Sequence, residues 1–107
     1  MMITYEDFRK IELKIATITD VKPHPDADKL YVLAVDIGGV TKQIVAGIRL
    51  FYPEESLLGR QVVVVDNLES ATIRGVESHG MLLAASDQAG ISVLSPDRHV
   101  TEGSIVK

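Results

Sequence analysis

The stretch from Arg74 to Ala84, RGVESHGMLLA, has the most distinctive arrangement of chemically capable side chains in the 107-residue sequence. Its first half combines arginine, glutamate, serine and histidine with two glycines, and its second half is apolar. The apolar half is typical of a buried strand. The polar half is typical of a loop that glycine holds close to a backbone or a ligand. The stretch is therefore either a binding loop or a glycine turn that leads into the core.

A second cluster places His24, Asp26 and Asp28 within five residues. Imidazole and carboxylate groups suit several divalent metal ions. However, prolines flank the histidine on both sides, and aspartates commonly form local side-chain turns before a strand. We therefore predict a structural turn here, with no metal site and no cofactor.

No pattern in the chain indicates catalysis. The three histidines lack i,i+4 spacing, and Ser78 lies between Glu77 and His79 instead of within a Gly-x-Ser-x-Gly turn. Adjacent Ser78 and His79 do not make a dyad, because sequence neighbours do not define that geometry. The chain has no cysteine, which excludes thiolate zinc sites and cysteine nucleophiles. We predict no catalytic residues and no enzymatic activity.

Short elements are expected to position these groups. Thr4 and Asp7 predict an N-cap for a short helix over residues 5–9. Residues 11–15 alternate as a strand does, and the alternation slips through residues 16–18, which predicts a bulge or bend. A second short helix is expected to begin at Pro53 and to end before Gly59. Further strands are predicted over residues 30–37, 40–46, 62–65, 81–85 and 91–94, with hairpin turns at residues 38–39 and 87–90.

These elements predict an all-β fold. Short strands with glycine turns, and a helix between the third and fourth strands, favour a five-stranded Greek-key barrel of the OB type. The length predicts a single domain over residues 1–107. Apolar runs are far shorter than the ~20 residues of a membrane span. The N-terminus lacks the pattern of a signal peptide. We therefore expect a cytoplasmic protein with no membrane association.

Several long segments in order resemble one family, the tRNA-binding domain found at the C-terminus of methionyl-tRNA synthetases and in free-standing tRNA-binding proteins. The segments are VKPHPDADKLYVLAVDIG, IVAGIRLFYPEESLLGRQVVVVDNL, RGVESHGMLLAAS and SPDRHVTEGSIV. The resemblance implies the OB-type barrel and non-catalytic binding of tRNA by its structure. It also implies a homodimer paired through an extension at about residues 88–107, and a methionyl-tRNA synthetase catalytic chain as a partner.

The resemblance also implies a binding face. Arg74 would contact a phosphate, because a guanidinium forks onto phosphate oxygens. Ser78 would donate to a phosphate or a 2′-hydroxyl, and Met81 would pack on a base or ribose. The complete expected face comprises Lys29, Lys42, Arg49, Arg74, Ser78 and Met81.

The net charge of −4 favours a different hypothesis. Nucleic-acid binders usually have a basic face, because phosphate contacts dominate their affinity. The alternative is a dimerisation or scaffold module whose RNA contacts are incidental. Any basic patch must be assembled by folding, since only the local field matters at the site. Surplus apolar residues near the C-terminus favour pairing of two chains under both hypotheses; they are Ile91, Val93, Leu94, Val100, Ile105 and Val106.

Overall fold

A computed structural model describes all residues 1–107 and has a nearly closed five-stranded antiparallel barrel as its main body. The strands in chain order are β1 (Leu13–Pro23), β2 (Tyr31–Asp36), β3 (Thr41–Ala46), β4 (Gln61–Val65), β5 (Ala71–Ile73), β6 (Val76–Ser78), β7 (Met81–Leu82), β8 (Ala84–Asp87), β9 (Gly90–Val93) and β10 (Ile105–Val106). The barrel strands pair in the order β3-β2-β1-β4-β7. The predicted OB-type fold is confirmed.

Strand β1 bends and pairs with three other strands, β2, β4 and β10. Its register against β2 shifts between Ile18 and Asp20, which confirms the predicted bulge. Residues 13–17 pair with β4 on one edge. On the other edge residues 17–23 pair with β2, and β10 pairs with the first two residues of β1.

The core fills the barrel interior. Every residue of β4 is buried, and β2 alternates buried with half-buried positions. Burial of each large apolar side chain stabilises the fold by roughly 1.5–3 kcal/mol. The largest fully buried side chains are Ile18, Leu33, Val35, Ile44, Leu57, Val62 and Val64.

Two short helices, α1 (Tyr5–Phe8) and α2 (Glu54–Leu57), confirm the predicted helical segments. In the α1 cap, Asp7 N donates to Thr4 Oγ1 at 3.1 Å, and Thr4 N donates to Asp7 Oδ2 at 3.5 Å. Pro53 is the N-cap of α2 and not its first helical residue. Leu57 of α2 is fully buried. No helix is long and apolar enough to cross a membrane.

Two expectations about the C-terminal half need correction. The single strand expected over residues 81–85 is divided into β7 and β8, because β7 pairs with β4 whereas β8 pairs with β9. The apolar residues near the C-terminus are not all surplus, since Val93 is buried and Ile91 packs partly against the core. Leu94 and Ile105 do remain exposed.

Candidate functional site

Arg74 lies at the tip of a β-hairpin, where the sequence predicted a loop. Strands β5 and β6 pair directly, with Ile73 opposite Val76, so that Arg74 and Gly75 form a two-residue turn. Both have positive φ angles, 51° for Arg74 and 87° for Gly75, as a type I′ turn requires. Arg74 is the only non-glycine residue with positive φ, a conformation that costs an L-residue roughly 1–2 kcal/mol. Such strain is concentrated at functional sites.

The Arg74 side chain reaches across to the loop between β1 and β2. Its Nη2 donates to the Asp26 carbonyl at 3.0 Å. Arg74 and residues 26–30 line an open cleft of about 480 Å³, here called the Arg74 cleft. One guanidinium nitrogen is thus fixed by a neutral acceptor, and the side chain forms no ion pair.

His24 joins the two walls of the Arg74 cleft. The ring is only 3% exposed, and its Nδ1 accepts from Asp26 N at 3.0 Å. Its proton must then be on Nε2, which lies 3.0 Å from the Ile73 carbonyl and donates to it. His24 is therefore a buried residue that connects two loops, where the sequence predicted a simple turn residue. Its partner Ile73 is 49 residues away, and no sequence spacing indicated that contact. No group of three acidic, cysteine or histidine residues is placed to hold a metal ion.

Two further predicted residues meet at this cleft. Arg49 Nη1 donates to the Ala27 carbonyl at 3.2 Å, and Arg49 N donates to the Lys29 carbonyl at 3.3 Å. The Lys29 side chain is exposed. Lys29, Arg49 and Arg74 form no ion pair. The fold therefore gathers three cations without an ion pair around residues 24–30, where the carboxylates of Asp26 and Asp28 also line the cleft.

Lys42 lies elsewhere. It is near the start of β3, whereas the Arg74 cleft is beside the end of β3. Its Nζ is 2.6 Å from Asp66 Oδ1 and donates to the Asp66 carbonyl at 2.8 Å. Lys14 Nζ binds the other carboxylate oxygen of Asp66 at 2.7 Å. Lys42 is thus paired with a carboxylate away from the Arg74 cleft, and its expected contact with RNA stays a prediction.

The shared carboxylate changes the protonation of its partners. Burial by itself would raise the pKa of Asp66, but the hydrogen bonds from Lys14 and Lys42 outweigh burial and lower that pKa. The hydrogen bond to Asp66 raises the pKa of Lys14. The triad acts as a clasp between β1, β3 and the end of β4.

Ser78 is structural in the fold. It is 4% exposed, and its Oγ accepts from Val45 N at 3.0 Å and donates to the Gly80 carbonyl at 3.1 Å. The hydroxyl thereby supplies the acceptor that a neighbouring strand would give to β3. His79 N continues this closure by donating to the Gln43 carbonyl at 2.8 Å. The hydroxyl is enclosed and both donates and accepts within the fold, and the expected contact of Ser78 with RNA stays a prediction.

Gly80 and Met81 are further residues of the stretch from Arg74 to Ala84. A Cβ on Gly80 would lie 2.9 Å from the Val65 carbonyl, so the expected close approach of this loop to a backbone is confirmed. Met81 is 46% exposed and lines an apolar hollow of about 310 Å³. Residues 45–48, which directly precede Arg49, line the same hollow. Met81 therefore lies beside the proposed RNA-binding face.

The net charge of −4 conceals a consistent pattern among the arginines. Four of the five form no ion pair, and each donates to a backbone carbonyl that orients it without cancelling its charge. These four are Arg49, Arg60, Arg74 and Arg98.

Known proteins share this sequence and fold. The family model "Putative tRNA binding domain" matches residues 13–105. Methionine–tRNA ligases of Pyrococcus furiosus and Thermococcus onnurineus are 50% and 46% identical over 105 residues, which is 98% of this chain but 14% of each ligase. A MetRS related protein from Pyrococcus horikoshii superimposes with a TM-score of 0.93 at 30% identity, covering 100% of this chain and 99% of that one. The chaperone CsaA from Bacillus anthracis gives 0.92 at 27%, covering 100% of both chains.

The chain therefore spans only a small part of the length of the ligases it matches. The family match covers nearly every residue of the barrel, including the Arg74 hairpin. This chain belongs to the tRNA-binding domain family.

Proposed function

We propose that this chain is a non-catalytic, structure-specific tRNA-binding module that works as a homodimer and helps an aminoacyl-tRNA synthetase, methionyl by its relatives, to capture tRNA. The supporting observation is the group of three cations that form no ion pair at the Arg74 cleft, namely Lys29, Arg49 and Arg74. Each guanidinium uses one nitrogen on a carbonyl and keeps other N–H donors for phosphate oxygens.

Recognition of RNA structure fits the aromatic residues. A single-strand binder stacks bases on several exposed aromatic rings. Of the five aromatic residues only Tyr5 and Phe51 are exposed; Tyr31 is 5% exposed, and its hydroxyl donates to the Tyr52 carbonyl at 2.7 Å. Contacts to phosphates and 2′-hydroxyls need no such platform.

The proposed role is to concentrate tRNA near a catalytic chain. A linked or associated module raises the effective concentration of its ligand without any new chemistry. The ligases that contain a similar segment support methionyl-tRNA synthetase as the partner. A cytoplasmic location follows from this role and is part of the proposal.

A mobility-shift experiment with tRNA, double-stranded RNA and single-stranded DNA tests the proposal. We expect preference for tRNA, and a slope of log affinity against log salt of roughly −3 to −5, because a few phosphates would be neutralised. A flat salt response or equal binding of single-stranded DNA would argue against it. The scaffold hypothesis, which the net charge of −4 favours, predicts self-association without salt-dependent tRNA binding.

A further inference from the structure

Arg60 and Arg98 line a second groove outside the Arg74 cleft. The groove has a volume of about 400 Å³ and is lined by residues 59–61 and 95–99, with no hydrophobic side chain among them. We call it the Arg98 groove. Neither arginine forms an ion pair.

Two contacts fix the orientation of the Arg60 guanidinium. Its Nε donates to the Ser56 carbonyl at 3.1 Å, and its guanidinium lies over the Tyr52 ring, 5.3 Å from the centroid. The Tyr52 hydroxyl is itself fixed, since it accepts from Val93 N at 3.0 Å. The two terminal nitrogens of Arg60 have no protein acceptor.

The opposite wall is fixed by Gln61. This side chain is 8% exposed, donates from Nε2 to the Val100 carbonyl at 2.7 Å, and accepts from Val100 N at 3.0 Å. The pair of bonds mimics a strand ladder and holds the segment before Val100 against β4. Within that segment, Arg98 Nη1 donates to the His99 carbonyl at 3.0 Å, which leaves its other donors free.

The groove has a net positive charge. Two guanidinium groups face a single carboxylate, Asp97, which forms no ion pair with either. A polar groove with unneutralised guanidinium groups suits a phosphate better than an apolar or cationic ligand.

The Arg98 groove and the Arg74 cleft lie at different levels of the barrel. The loop of the Arg74 cleft joins the end of β1 to the start of β2. Gln61, at the Arg98 groove, pairs instead with Thr17 in the middle of β1, level with the end of β2. The chain from Arg49 to Arg60, which includes α2, connects the two levels. An RNA that follows this connection would meet both sites.

We propose that the Arg98 groove is a second phosphate-binding site, in which Arg60 and Arg98 hold another part of the backbone of the RNA bound at the Arg74 cleft. This inference rests on the proposed function. It assigns Arg98 and Arg60 to the contact surface, although the sequence had placed neither of them there.

The experiment compares tRNA affinity and its salt dependence for Arg98→Ala, Asp97→Asn and a matched control, Arg9→Ala. Arg9 is exposed and paired with Glu6 at 3.0 Å, so the control makes the same charge change away from the groove. We expect Arg98→Ala to bind roughly tenfold more weakly, with a salt slope smaller by about one, as for one lost phosphate contact. Asp97→Asn should bind a few-fold more tightly, because it removes the only negative charge of the groove, and Arg9→Ala should match the wild type.

The two proposals fail in different ways. If the wild type binds tRNA and Arg98→Ala behaves as Arg9→Ala does, the second site is overturned and the tRNA proposal stands. If the wild type binds no tRNA at low salt, the tRNA proposal fails, and inorganic pyrophosphate decides the groove by NMR. Amide signals of residues 59–61 and 95–99 should then shift in the wild type and stay unmoved in Arg98→Ala; unmoved signals in the wild type overturn the site.

Discussion

Arg74 combines a strained backbone with a guanidinium that forms no ion pair. An asparagine or glycine would fit its left-handed conformation with less strain, so arginine at this position costs folding stability. Its guanidinium is anchored by the Asp26 carbonyl. These features support the proposed contact of Arg74 with phosphate.

Arg74→Asn separates the charge from the turn. Asparagine tolerates the left-handed region, and a solvent-facing arginine adds little to stability. We therefore expect an unchanged or higher melting temperature, together with tRNA binding weakened by about 1–3 kcal/mol. Fluorescence anisotropy and thermal unfolding measure the two effects, with Arg9→Asn as the control. Unchanged affinity in a folded Arg74→Asn variant would remove Arg74 from the binding face.

Ser78→Ala should act on stability and not on binding. The change leaves Val45 N buried without an acceptor, which costs about 1–3 kcal/mol in the free energy of unfolding. Urea unfolding measures that loss, with the exposed Ser86→Ala as the control. The tRNA affinity of the folded variant should stay within about twofold, as expected when no contact is lost. A large loss of affinity at unchanged stability would support the expected contact of Ser78 with RNA.

Three of the residues expected on the binding face lie together in the structure. Lys29, Arg49 and Arg74 converge because the β1–β2 loop and the end of β3 meet through paired strands. The contacts of Ser78 with Val45 and of Lys42 with Asp66 could not be predicted, since each joins residues more than twenty positions apart through barrel closure. The burial of His24 depends on the same closure.

At the scale of elements, the predictions followed local chemistry. The capping box of α1, the bulge in β1 and the glycine hairpin between β2 and β3 all depend on near neighbours and are confirmed. The β5–β6 hairpin was missed because its turn uses Arg74 where asparagine or glycine is the usual signal. The division between β7 and β8 depends on distant pairing with β4 and is absent from the local pattern.

The clasp at Asp66 links β1 and β3 to β4 and makes stability depend on pH. The pKa of Asp66 is lowered in the folded state from its ordinary value of 3.8. Its contribution is therefore fully present above pH 3.8 and is lost as the pH falls through the lower folded-state pKa. We expect Asp66→Asn to reduce stability at pH 7 by about 1–2 kcal/mol, as for a lost charged hydrogen bond.

The variant should also lose less stability than the wild type on acidification through this range. Chemical unfolding at pH 7 and at successive acidic steps measures the difference, and Asp20→Asn is a control because its ion pair with Lys22 is exposed. Parallel pH curves for Asp66→Asn and the wild type would show that the clasp contributes no acid sensitivity.

For the whole molecule, the arrangement of charge matters more than its sum. Most lysines, and Arg9, are paired with carboxylates, whereas the other four arginines are oriented by carbonyls at the two ligand-sized openings. Composition alone favoured a scaffold, because it cannot show which charges neutralise one another. A chain of net charge −4 can therefore present two openings at which arginines form no ion pair.

Dimerisation is the remaining prediction for the whole molecule. Ile105 is 72% exposed on β10, at the barrel end opposite the Arg74 cleft, and β10 is a short edge strand. We expect sedimentation at low micromolar concentration to show a dimer of the 11.7 kDa chain. Ile105→Asp should raise the dissociation constant at least tenfold without loss of the fold, because an exposed side chain contributes little to the monomer. Leu50→Asp is the matched control, since Leu50 is 63% exposed at the other end, and a single species of monomer mass in the wild type would contradict the prediction.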